Sequence, residues 1–276
     1  MAKPKFNVHK SKINAHKARI CHSPFVSQVC GMKTKFNVHK TVAIIPAGGT
    51  GRRMGGSISK QYLLLSGKPV LVRALQPFQD SPLIDEIMLA VPEEDVAQVR
   101  ENIVERYFLS KLNRVVAGGK ERQDSIRNAL ACIADETEII VIHDGVRPLV
   151  TTELIEMAIE RAGKLGAVAT GIGIRDTVKR VDKTGKIEET VLRDGLWLTQ
   201  TPQAFKRDIL LAAYRVAEET GFYGTDDASL VEKAGIPVWM IPGDRENLKV
   251  TTQEDMMICA RILQYREKDL SDIRRI

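Results

Sequence analysis

The sequence predicts an α/β fold built on a doubly wound, mostly parallel sheet, and two observations carry that prediction. From Thr41 onward, short apolar runs alternate with stretches of helical periodicity. A glycine-rich turn directly follows the first of those runs, at the strand end where open parallel sheets bind their ligands.

The elements read in order. Val42-Ala43-Ile44-Ile45 is apolar throughout, as a strand covered on both faces must be, and Ile87-Met88-Leu89-Ala90-Val91 is a second such run. Val96, Val99 and Ile103 share one helical face. Val115-Val116 marks a third strand, a helix bearing Ile126, Ala129, Leu130 and Ile133 follows, and Ile139 to Ile142 makes a fourth. A helix over about 152–165 precedes Gly166, a strand runs from Val168 to Ile174, and helices cover about 206–220, 226–234 and 253–268.

One segment departs from this rhythm. Thr177 to Arg180 and Ile187 to Val191 form two extended arms around the turn Asp182-Lys183-Thr184-Gly185-Lys186. An isolated two-stranded hairpin is marginal in water, so something must cover it. A second subunit and the chain's own domain serve equally well on these grounds.

At 276 residues, 43% hydrophobic and 28% charged, the chain can bury a sizeable core. It has no uncharged apolar run of roughly eighteen residues and no compact apolar stretch with a small-residue cleavage site, so a soluble, unsecreted protein is expected. Cys21, Cys30, Cys132 and Cys259 form no CxxC pair, which suits a reducing, cytoplasmic setting.

The net charge of +6 suggests nucleic acid until its location is examined. Residues 1–40 carry nine Lys or Arg and no acid, so the remainder is −3. A mildly acidic body argues against a duplex-binding surface and against nucleic acid or membrane as a partner. A binder working through its basic tail is the contrasting hypothesis, and deletion of residues 1–40 separates it from an enzyme, which keeps its activity.

Within that tail Lys5-Phe6-Asn7-Val8-His9-Lys10 recurs as Lys35-Phe36-Asn37-Val38-His39-Lys40. Two copies do not make a solenoid. Residues 1–40 read as a basic, disordered extension with Met32 an alternative start, and 41–276 as the catalytic domain. The tail is Lys-rich rather than Arg- and Ser-rich, which weighs against organellar targeting. Cys21, His22 and Cys30 match no zinc spacing and read as solvated tail residues.

The glycine-rich turn is Pro46-Ala47-Gly48-Gly49-Thr50-Gly51-Arg52-Arg53-Met54, with Lys60 shortly beyond. Glycines at a strand-to-helix turn let backbone N–H groups approach phosphate. No GxxxxGK[ST] is present, and the third glycine of GxGxxG is missing. The cations Arg52, Arg53 and Lys60 suit a triphosphate.

His143-Asp144-Gly145-Val146-Arg147-Pro148 follows the fourth strand. Asp144 could hold Mg²⁺ against nucleotide phosphates and Arg147 could grip an anionic second substrate, the bland alternative being a helix-entry ion pair. His143 is expected to pack or cap locally, with no catalytic role.

Several blocks, in order, resemble the 2-C-methyl-D-erythritol 4-phosphate cytidylyltransferases of the non-mevalonate isoprenoid route, over about 41–260. They are PAGGTGRRM with SKQY at 59–62, GGKERQDS at 118–125, HDGVRP at 143–148, RDTVKR at 175–180, LRDGLW at 192–197, QTPQAF at 200–205, TDDAS at 225–229 and ENLKVTT at 246–252.

The resemblance implies that Arg53 and Lys60 bind and neutralise the CTP phosphates, that Asp144 associates with Mg²⁺, and that Arg122 and Ser125 lie in the loop closing on the nucleotide. The CTP set also takes in Pro46, Ala47, Gly48, Gly49, Gly51, Gly119 and Gly145. Arg147, Thr177, Arg193 and Thr201 are implied around the acceptor phosphate, and Lys249 between the substrates, joining Arg53 and Lys60 as catalytic. Arg193 lies on the hairpin arm, about 175–197, which in this family reaches into a neighbouring subunit. That role favours a homodimer.

For Thr177, Thr201 and Ser125 ordinary turn or capping bonds are the competing reading. Two positions depart from the family pattern: Lys120 replaces an uncharged or acidic residue, and Gly145-Val146 replaces the frequent Ala-Ala.

The acceptor that the resemblance implies is a phosphate monoester, mostly dianionic near neutral pH because its second pKa is about 6. It needs no general base, and fixed cations are the useful catalysts. Ribitol 5-phosphate is the alternative acceptor within the same class.

Overall fold

The computed structural model describes residues 41–49 and 59–273. The basic extension with its repeat, and Gly51, Arg52 and Arg53 of the glycine-rich turn, lie outside the described residues.

Along the chain the elements are β1 (Thr41–Pro46), β2 (Leu64–Leu65), β3 (Lys68–Pro69), α1 (Val70–Asp80), β4 (Glu86–Val91), α2 (Val96–Val99) and β5 (Leu112–Ala117). Then come α3 (Arg122–Leu130), β6 (Ile139–Ile142), α4 (Thr152–Leu165), β7 (Ala167–Gly173), β8 (Val178–Val181), β9 (Ile187–Val191) and β10 (Trp197–Lys206). The chain finishes with α5 (Arg207–Thr220), α6 (Asp227–Lys233), β11 (Trp239–Pro242) and α7 (Gln253–Ile273).

Seven strands form one sheet in the order β11-β7-β10-β6-β1-β4-β5. β1 pairs in parallel with β4 and β6, β4 with β5, and β7 with β11. β10 is antiparallel to both of its neighbours, β6 and β7, and is the exception in this sheet.

The alternation of β1 shows why both faces carry helices. Ala43 and Ile45 pack into a core with Leu71, Leu75 and Phe78 of α1 and Ile155 and Ala158 of α4. Val42 and Ile44 turn the other way, towards Ile126 and Ala129 of α3 and Leu210, Ala213 and Tyr214 of α5. A strand with two apolar faces needs two apolar layers, which gives the doubly wound architecture. Full burial of each valine, leucine, isoleucine or phenylalanine among them is worth about 1.5–3 kcal/mol.

The elements expected from periodicity are present, with shifted ends. α7 continues beyond residue 268, Ile133 lies past the end of α3, and α2 passes into a π-helical turn, Arg100–Glu105, that keeps Val96, Val99 and Ile103 buried.

Besides the two-residue strands β2 and β3, three elements of the main fold escaped the sequence reading. α1 contains Pro77, and β11 is four residues long. β10 holds Gln200, Thr201, Pro202 and Gln203, whose polarity and proline argue against a central strand. Its pairing with β7 shifts register between Thr199 and Gln203, so the proline sits in an irregularity rather than a regular ladder.

β8 and β9 form a separate two-stranded sheet, the expected hairpin. Among the described residues no helix is long and apolar enough to cross a membrane.

Candidate active site

The ends of β1, β4, β5 and β6 converge on one mouth. Ala47 N donates to Ala90 O at 2.7 Å, Gly118 N to Val91 O at 2.6 Å, and Gly145 N to Pro46 O at 3.2 Å. These bonds bring the three glycine-containing loops together. Gln61 supports the first from below, its Nε2 donating to Ala47 O at 2.9 Å. The short helical turn Lys60–Tyr62 brings Lys60 alongside, where its Cε would lie 3.8 Å from a Cβ placed on Gly49.

The loop before α3 is equally constrained. Gly119 N donates to Ser125 Oγ at 3.0 Å, and a Cβ at Gly119 would meet Asp124 Cβ at 2.3 Å, so that position requires glycine. Ser125 Oγ also donates to Glu121 O, the capping-type bonding weighed for it from sequence.

Asp144 forms the electrostatic centre. Its Oδ1 lies 3.0 Å from Arg122 Nε, and its Oδ2 lies 2.9 Å from Lys249 Nζ and 3.5 Å from Arg147 Nε. Burial by itself would raise the carboxyl pKa, but Arg122, Lys249 and Arg147 outweigh it and hold the group well below the ordinary carboxylate range. Asp144 is therefore an anion at any physiological pH. The i,i+3 ion pair with Arg147, the bland alternative from sequence, is present but is one of three.

Behind Asp144 sits a buried support. Asp144 N donates to Thr201 Oγ1 at 3.1 Å, and that hydroxyl lies 3.0 Å from His143 Nδ1. His143 Nε2 lies 3.3 Å from Arg147 O, which can only accept, so Nε2 carries the proton and Nδ1 accepts from Thr201. Burial pushes His143 down to about 4, so the ring is neutral, packed 5.2 Å from Phe78. Its expected packing role holds. Arg147 Nη1 donates to Asn247 O at 2.8 Å, and Asn247 Nδ2 donates to Thr201 O at 2.7 Å, which ties β10 to the segment carrying Lys249.

Arg122 bridges two carboxylates. While Nε faces Asp144, Nη1 donates to Asp227 Oδ2 at 2.7 Å, and Tyr214 OH donates to Asp227 Oδ1 at 2.7 Å. Asp227, Tyr214, Asn247 and Gln61 had no role in the sequence reading. Asp227 and Asn247 lie within the quoted blocks TDDAS and ENLKVTT, and Gln61 within SKQY, the only signal that could have pointed to them.

The structure thus gathers Lys60, Gly119, Arg122, Ser125, Asp144, Arg147, Thr201 and Lys249 about the strand ends. Thr177 and Arg193 are set apart on the exposed hairpin, where Arg193 Nη1 donates to Arg175 O. The hairpin and its base expose apolar side chains, with Leu192 85% and Trp197 41% accessible.

As a metal site, Asp144 is the carboxylate at the centre of the mouth, and the described residues supply no group of three His, Cys, Asp or Glu side chains. A lone charged carboxylate suits a hard divalent cation that takes its other ligands from phosphates and water, and does not suit a structural zinc.

Residues 41–265 match the family model described as 2-C-methyl-D-erythritol 4-phosphate cytidylyltransferase (IspD). The chain belongs to that family. A cytidylyltransferase of this name from Syntrophus aciditrophicus is 50% identical over 228 residues, covering 83% of this chain and 97% of that protein. Its counterpart in Geotalea uraniireducens is 43% identical over 82% of this chain and 97% of its own length. Among solved structures, the 4-diphosphocytidyl-2C-methyl-D-erythritol synthase of Anaerococcus prevotii superposes with a TM-score of 0.72 at 32% identity, covering 82% of this chain and 97% of that one. The cytidylyltransferase family match begins at Thr41, the first residue of β1.

Proposed function

We propose that the protein transfers the cytidylyl group of CTP to 2-C-methyl-D-erythritol 4-phosphate, releasing pyrophosphate. The observation that carries this reading is the charged carboxylate of Asp144, ringed by Arg122, Arg147 and Lys249 at the sheet mouth, in a chain of that family.

The acceptor phosphate is already a nucleophile. One of its oxygens bonds to the α-phosphorus of CTP as the bond from that phosphorus to the bridging oxygen breaks, and pyrophosphate leaves with the electron pair. Two anions must meet, and charge spreads over the departing group. Pre-positioned cations lower that barrier without reorganising at the moment of reaction. Lys60 and Arg53 serve the nucleotide phosphates, Arg122 and Ser125 the loop over it, and Pro46, Ala47, Gly48, Gly49, Gly51, Gly119 and Gly145 the backbone cradle. Arg147 and Lys249 are assigned to the acceptor side, together with Thr201 from its buried place behind Asp144. Asp144 would hold Mg²⁺, which supplies positive charge to the phosphates when bound. No proton carrier is needed, in keeping with a site whose one histidine is neutral and buried.

Residues 41–276 form the catalytic domain in this reading, with residues 1–40 an appended extension. The exposed apolar residues of the 175–197 hairpin support a homodimer, in which Thr177 and Arg193 complete the acceptor site of the partner subunit. The free Cys132 and Cys259 are in keeping with a cytoplasmic enzyme.

Pyrophosphate release tests the assignment, using CTP and Mg²⁺ with methylerythritol phosphate, ribitol 5-phosphate and other polyol phosphates as acceptors. Methylerythritol phosphate is expected to turn over fastest. A faster reaction with ribitol 5-phosphate overturns the acceptor while leaving the reaction class.

A further inference from the structure

We infer that Asp227, backed by the Tyr214 hydroxyl, is the positioning residue that fixes Arg122 for the nucleotide. This rests on the reading of Arg122 as a CTP-loop residue.

Arg122 is the first residue of α3, and its long side chain would otherwise have many rotamers at the mouth of the sheet. Its guanidinium is a rigid fork of donors, so fixing one edge aims the others. Asp144 takes the Nε edge, yet Asp144 also binds Lys249 and Arg147 and would hold the divalent cation. A partner that must serve nucleotide and cation cannot alone keep Arg122 in place. Asp227 can, because it is 1% exposed and faces Arg122 Nη1 and the Tyr214 hydroxyl, with no catalytic duty of its own.

The Asp227 backbone is anchored as well. Gln203 of β10 donates Nε2 to Asp226 Oδ2 at 2.8 Å and accepts Ala228 N at 3.0 Å, so both neighbours of Asp227 are tied to the central sheet. Tyr214 comes from the buried face of α5. Burial and the Asp227 carboxylate raise its pKa well above the usual value, so the hydroxyl keeps its proton and donates. The chain Tyr214, Asp227, Arg122 thus runs from the α5–α6 layer to the site, each link made by a buried or half-buried group.

A merely structural clamp between α3 and α6 would use the same contacts, so the test must separate the two. Asp227→Asn and Tyr214→Phe are made in the full-length protein, alone and combined with Arg122→Ala. CTP binding is followed by calorimetry, kcat/KM for CTP and KM for the acceptor by pyrophosphate release, and folding by urea titration.

Loss of a hydrogen bond to a charged group corresponds to about a ten- to hundredfold fall in CTP affinity and in kcat/KM for Asp227→Asn, with a smaller fall for Tyr214→Phe. The acceptor KM is expected to stay within about threefold of wild type. In the Arg122→Ala background both substitutions are expected to be silent towards CTP.

If Asp227→Asn does not fold, Tyr214→Phe carries the comparison. Losses that add fully to that of Arg122→Ala, in a wild type that binds and turns over CTP, overturn the inference alone. A wild type that binds no CTP overturns the functional reading and this inference with it.

Discussion

Lys249 Nζ lies 2.9 Å from Asp144 Oδ2, joining the segment after β11 to the loop after β6 across the mouth of the sheet. Asp144 is nearly enclosed, whereas the Lys249 side chain is 43% exposed, so the lysine is the partner free to reach a ligand. Solvent screens such a half-exposed pair, and its value lies in placing charge rather than in stability.

Asp144→Asn keeps the shape of the side chain but removes the charge that three cations converge on. The variant is expected to unfold cooperatively like wild type and to lose at least about a hundredfold in kcat/KM, or about 2.7 kcal/mol of transition-state stabilisation. Steady-state kinetics beside a urea titration checks both halves. Near-normal turnover in the folded variant would remove Asp144 from the mechanism.

Thr201→Val deprives the buried Asp144 amide of its acceptor and His143 Nδ1 of its donor. An unsatisfied buried polar group costs about 1–3 kcal/mol, so the urea midpoint should fall accordingly, and Thr201→Ser should recover most of it. An unchanged midpoint for the valine variant means that the hydroxyl is replaceable there.

His143 predicts a pH dependence of stability. Burial lowers its native pKa to about 4, while the unfolded chain titrates near the ordinary histidine value. Below that ordinary value the unfolded state binds the extra proton, so His143 reduces stability progressively as pH falls towards 4, by on the order of 3 kcal/mol. The melting temperature of His143→Gln should therefore fall less steeply than that of wild type between about pH 7 and pH 4. Parallel profiles would show that other groups set the dependence.

Arg193 tests the proposal of a site shared between subunits. Arg193→Ala should raise KM for the acceptor and leave CTP binding intact, with a ten- to hundredfold fall in kcat/KM, since a charge-assisted contact is worth about 1.5–3 kcal/mol. Mixed with Asp144→Asn under conditions that exchange subunits, some heterodimers hold one site with both native residues. Partial recovery of activity is expected. Demonstrated exchange without recovery would assign Arg193 to its own subunit.

The sequence by itself determined the doubly wound sheet and most of the loops at its mouth. The runs at Val42–Ile45, Ile87–Val91 and Ile139–Ile142 are apolar at every position because both faces of β1, β4 and β6 are covered, a signal that needs no tertiary information. Gly48, Gly49 and Asp144 stood out because glycine and charge at strand ends have few structural uses, whereas Arg122 and Lys249 were marked only by the blocks that resemble the family.

Only the tertiary structure decided β10 and the support behind the site. Gln200, Thr201 and Gln203 show no apolar pattern, yet each is buried, because residues far along the chain satisfy its hydrogen bonds. Asp227 lies 105 positions from Arg122, and no local pattern says which of the chain's carboxylates reaches that guanidinium. Periodicity reports whether a position faces water or core. A buried polar group satisfied by a distant partner carries the same local signature as an exposed one, so its place is fixed only when the sheet and its helices close around it.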